Sequence, residues 1–137
     1  MREGVEYLTT LRPSSLAVAV AIASVSPGFA QEQSAVEYES VADALAALQS
    51  NPNASIAKDD GWTNITLWTE NGFELWQFVP RSHPAYPAVV KGTVVLLPEA
   101  SSHRAILCEA TMSACEALTR EMDERGDALR TRLQRHR

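Results

Sequence analysis

The chain has little with which to perform chemistry. Among 137 residues there are two cysteines and three histidines. There is no G-x-S-x-G elbow, no H-E-x-x-H pair, no phosphate-binding glycine loop and no dinucleotide fingerprint. Those absences remove the common templates for acyl hydrolysis, zinc proteolysis, nucleotide hydrolysis and hydride transfer. No second cysteine pair or spaced histidine pair joins the two cysteines, so a structural zinc site lacks ligands. Asp59-Asp60 before Gly61 lacks the alternating carboxylates of a calcium loop and reads as a turn. No cofactor and no metal is expected.

Long hydrophobic runs are also missing. The apolar run Ser14 to Val25 ends before Pro27-Gly28 and falls short of the roughly 20 apolar residues a spanning helix needs. What the first 30 residues do contain is a secretory signal. Arg2 and Arg12 precede the apolar centre Leu16 to Ala23, a helix breaker follows, and Gly28 and Ala30 supply small residues at positions −3 and −1 of a cut after Ala30. Residues 1–30 are therefore expected to be cleaved, leaving 31–137 as one small domain. That domain is expected in the periplasm or secreted from a bacterial cell, with no stable membrane anchor.

The net charge is −5. It is uneven: residues 31–74 hold −7 and residues 75–137 hold +2, and after Asp127 only bases remain, Arg130, Arg132, Arg135, His136 and Arg137. In an acidic exported protein a basic tail over 128–137 reads as a solvated, frayed helix end rather than a nucleic-acid contact. In an oxidising compartment Cys108 and Cys115, spaced C-x6-C, are expected to form a structural disulfide.

Helix and strand signals follow in order. Ser40 and Asp43 open a helix over Val41 to about Gln49, closed by Asn51-Pro52, with Val41, Ala44, Leu45 and Leu48 on one face. Trp62 to Glu70, Asn71-Gly72 and Phe73 to Val79 read as a hairpin. If Asn71 and Gly72 are its positive-φ loop residues, Leu67 faces Trp76 and Ile65 faces Phe78. Ile65, Leu67, Trp76 and Phe78 then form a core face, with Trp62, Asn64, Thr66, Trp68, Leu75, Gln77 and Val79 opposite. Three prolines within Pro80 to Pro87 predict an extended loop. Ala88–Leu97 and His103–Ala110 read as further strands. A closing helix from about Ala114 places Cys115, Leu118, Met122, Leu129 and Leu133 on one face. The expectation is an α+β domain: a four- to five-stranded antiparallel sheet with an N-terminal and a longer C-terminal helix packed on one face.

Leu75-Trp76-Gln77-Phe78-Val79-Pro80, then His83-Pro84-Ala85-Tyr86-Pro87-Ala88-Val89-Val90-Lys91, followed by the Cys108 and Cys115 pair, resembles a group of small exported proteobacterial proteins of unknown function. The resemblance spans roughly Tyr38 to Glu121. The group usually carries a base after the lysine, where this chain has Gly92. The resemblance implies the compartment and the fold; it brings no activity.

Only His83 sits in a loop stiff enough to aim a side chain, near Ser82, Tyr86 and Lys91. A hydrolase-like enzyme using His83 with Tyr86 or Lys91 is one expectation, and it requires those groups within hydrogen-bond reach. The aromatics suggest another. They are only 7% of the chain, yet Trp62, Trp68, Phe73, Trp76, Phe78 and Tyr86 fall within 25 positions. Trp62 and Trp68 are either packing beneath the proline loop or part of a recognition surface with His83 and Tyr86, since tryptophan is over-used at partner contacts. The leading expectation is a non-enzymatic binding or interaction module for an envelope protein or small ligand. A structural or stress-related envelope protein is the third.

Overall fold

A computed structural model describes residues 36–136; the expected signal peptide and mature N-terminus lie outside those residues. The elements run α1 (Val41–Gln49), β1 (Ala54–Asp59), β2 (Trp62–Thr69), β3 (Gly72–Phe78), β4 (Ala88–Val95), β5 (Ser101–Cys108) and α2 (Met112–Arg135). The five strands form one antiparallel sheet in sequence order, β1-β2-β3-β4-β5. The expected α+β class is the observed one.

Both helix starts follow from local chemistry. Ser40 accepts the Asp43 N–H at 3.1 Å, and Thr111 accepts the Ala114 N–H at 3.3 Å, so each cap satisfies one orphan donor of its first turn. The α1 N-terminus has a second partner, Glu109 Oε1, which accepts from the Val41 N–H at 2.7 Å and ties α1 to the end of β5.

The hairpins correct the sequence reading. The tight turn with two left-handed residues is Asp60-Gly61, at φ 49° and 81°, joining β1 to β2. That strand β1, with only one partly buried position, had no apolar alternation to announce it. Gly72 does not occupy a left-handed turn. It is the first residue of β3, paired with Thr69, which leaves Glu70 and Asn71 as the loop. Its role is steric: a Cβ there would lie 1.9 Å from the Val94 carbonyl oxygen of β4. This shifts the register by two residues from the one expected. Ile65 pairs with Trp76, Leu67 with Glu74 and Thr63 with Phe78. A two-residue shift preserves which side chains share a face, so the assignment of faces stands.

The helices do not share a face. Val41, Ala44 and Leu48 of α1 pack with Ile65, Trp76, Phe78 and Val89. Leu118 and Met122 of α2 pack on the other side with Trp62, Val79, Ala85, Ala88 and Val90. Consecutive β4 residues Val89 and Val90 point to opposite cores, which is why this strand is buried on both sides over Ala88–Lys91. The Cys108–Cys115 disulfide, 2.08 Å between sulfurs, fastens the end of β5 to the first turn of α2. Leu129 and Leu133, expected on the buried helix face, are exposed, because the packing of α2 on the sheet ends at Leu118 and Met122. No described helix is long and apolar enough to cross a membrane.

Candidate functional site

The side chains singled out in the sequence scatter over both faces. Trp62 is 8% exposed and belongs to the core beneath α2. The His83 ring meets it edge-on at 5.6 Å between centroids, and the Arg125 guanidinium lies 4.8 Å from its ring centre. Trp68, three pleat repeats further along the same face, is 70% exposed and touches only Phe73 among the described aromatics. The two tryptophans thus have different roles: one is packing, the other is surface. Tyr86 is exposed at the opposite end of the sheet from Trp68.

His83 is committed at both ring nitrogens. Its Nδ1 accepts the Ala85 N–H at 3.0 Å, which leaves the proton on Nε2 to donate to Glu121 Oε2 at 2.9 Å. This arrangement ties the proline loop to α2. Lys91 lies on the α1 face, among other partners, so the geometry does not unite His83 with Lys91, and it gives His83 no spare nitrogen for Tyr86.

Lys91 is itself unusual, at 7% exposure. Its Nζ pairs with Glu37 and, at 3.2 Å, with Glu74 Oε1, and sits 5.0 Å from the Trp76 ring centre. Trp76 Nε1 in turn donates to Glu74 Oε2 at 3.2 Å. Burial works against charge on both partners, yet it is outweighed. The hydrogen bonds to Glu37 and Glu74 hold the Lys91 pKa above its ordinary value, and the Lys91 ammonium holds Glu37 below its own. With Tyr38 edge-on to Trp76 at 5.6 Å, this cluster pins the segment before α1 onto the sheet. Nothing in the sequence pattern signals it, because Glu37 and Lys91 are 54 residues apart.

A cleft of about 1410 Å³ lies between α2 and the strands β3, β4 and β5. Leu75, Val90, Val94 and Ile106 form its floor; Met122, Gly126 and Leu129 form its roof; Arg104, Arg125 and Arg130 stand at its rim. Each arginine is held by an acid on α2: Arg104 by Asp123, Arg125 by Glu121 and Arg130 by Asp127. Sequence reading missed this cleft. A Cβ at Gly126 would meet nothing within 4 Å, so the glycine marks open space under the helix. A smaller polar recess of about 190 Å³, lined by Asp59, Asp60, Asn64 and Gln77, lies beyond Arg125. The described residues contain no cluster of three or more groups suited to a metal ion.

The arrangement can hold an elongated ligand against an apolar floor beneath a basic rim; it brings together no nucleophile with a free base. No family model, no curated protein and no solved structure matches this chain.

Proposed function

We propose that the protein is an exported, periplasmic or secreted binding module, and that its working surface is the cleft under α2. The observation that carries this reading is the unfilled half of that face. α2 runs 24 residues yet buries only Leu118 and Met122, leaving Leu129 and Leu133 exposed and the cleft residues Leu75 and Val94 only half-buried. Apolar surface left open beside charged residues marks interaction sites in folded proteins. The disulfide supports an oxidising compartment. It also fixes the start of α2 beside one end of the cleft.

The experiment is affinity capture from periplasmic extract with the mature protein and a Leu129→Glu variant. Leu129 is 59% exposed, so the variant retains its fold. Loss of the captured partner by the variant supports the cleft as the site. Identical capture by both proteins contradicts it.

A further inference from the structure

The floor of the cleft ends at a free strand edge. Strand β5 closes one side of the sheet. Glu109 N donates to Pro87 O at 2.9 Å, so at this register the backbone groups of Glu109, Leu107, Ala105 and His103 turn toward β4. By alternation those of Ser102, Arg104 and Ile106 turn outward, where the described residues offer no backbone partner. All of Ser102 to Cys108 lines the cleft, so this row of donors and acceptors opens into it. The other edge strand, β1, carries Lys58 as a charged guard and lines no comparable cleft.

Resting on the binding-module reading, we infer that the cleft takes an extended acidic polypeptide segment, which adds antiparallel to β5 beneath α2. Main-chain hydrogen bonds to a free edge are the usual source of affinity in such strand addition, and side-chain alternation supplies specificity. Both are present. An inward-pairing residue of the guest lies opposite Arg104 and on the α2 side, where Arg104, Arg125 and Arg130 line the cleft, each bridged to an acid of α2, so a guest acid fits there by sharing or replacing those bridges. The alternate residues fall on the α1 side beside Ala105 and Leu107, so apolar side chains fit there. A second copy of β5 does not meet this requirement: its sequence brings Arg104 and His103 and no acid.

The probe is the octapeptide Ac-Glu-Val-Glu-Val-Glu-Val-Glu-Val-amide, fluorescently labelled, titrated with the mature protein and read by anisotropy. Methylating the backbone nitrogens of its glutamates should weaken binding at least about tenfold, because these face β5; methylating those of its valines should not. Replacing glutamate by lysine should weaken it by at least about tenfold as well. Ser102→Pro should have the same effect with an unchanged melting temperature, since the Ser102 N–H lies outside the β4 ladder. The inference is overturned if the peptide does not bind, if methylated glutamates bind as well as the parent, if the lysine twin binds equally, or if the protein instead pairs with itself. Failure of the peptide with Leu129-dependent capture retained overturns strand addition and leaves the binding-module reading intact.

Discussion

The two faces of the sheet are solved differently by the same chain. On one, the nine-residue α1 and the segment before it seal a continuous core around Trp76, and even the charged Lys91 is paired inside it. On the other, a helix more than twice as long covers only the end nearest the proline loop, around Trp62, and leaves the end near Trp68 open. Length of helix is therefore no measure of how well a face is closed. A short amphipathic helix with three buried residues does more packing than the distal half of α2, which is charged on nearly every side. The sealed face explains why the domain folds. The half-open face is the one on which we place binding.

The difference is most severely tested by tryptophan replacement on the sealed side. Trp76→Ala removes a side chain that is 1% exposed, the centre of the α1 core, and should cost about 3–5 kcal/mol in urea denaturation. A loss below about 1 kcal/mol would mean that the α1 face is not the structural core. Reducing the Cys108–Cys115 bond comes next. It should lower stability by about 2–3 kcal/mol and release the start of α2 from β5. Calorimetry on oxidised and reduced protein reads this directly, and the amide protection of α1 should change less than that of α2.

The Lys91 cluster sets the pH limits of the sealed face. Glu37 has its pKa lowered, so its contribution is present above its ordinary value of 4.5 and is lost as pH falls through the depressed one. Lys91 has its pKa raised, so its contribution is present below 10.5 and is lost as pH rises through the elevated one. The melting temperature should thus hold a plateau between those limits and decline on both sides. Lys91→Met should flatten the alkaline decline. The smallest expected effect lies on the open side: Trp68→Ala should change stability by no more than about 0.5 kcal/mol, because the indole is largely in water.

How much of this was legible in the sequence depends on the range of the interaction. Helix α1 was readable from Ser40, Asp43 and the Val41, Ala44, Leu48 spacing, since a cap and a periodic face are local. So was the partition of the β2–β3 hairpin into two faces, because alternation survives a register error of two. The register itself was not, since it depends on the Val94 carbonyl pressing against Gly72 from a strand further along the chain. The placement of the helices on opposite faces was hidden for a related reason. Val89 and Val90 look like one apolar run, and only the pleat sends them to separate cores. Of the candidate site residues, Trp68 stands on the open surface, whereas Trp62 and His83 are held by α2 through Arg125 and Glu121, contacts that span 38 residues or more. The cleft left a single mark in the sequence, a glycine in the middle of an otherwise good helix.

That glycine offers the most direct test of the claim that the open half of the α2 face is the working surface. Gly126→Leu places a side chain in space where nothing lies within 4 Å and replaces a poor helix former by a good one. The measurement is thermal stability and partner capture from periplasmic extract on the same preparation. The account predicts stability raised by up to about 1 kcal/mol together with loss of the captured partner. A stabilised variant that captures its partner as well as the parent would contradict it.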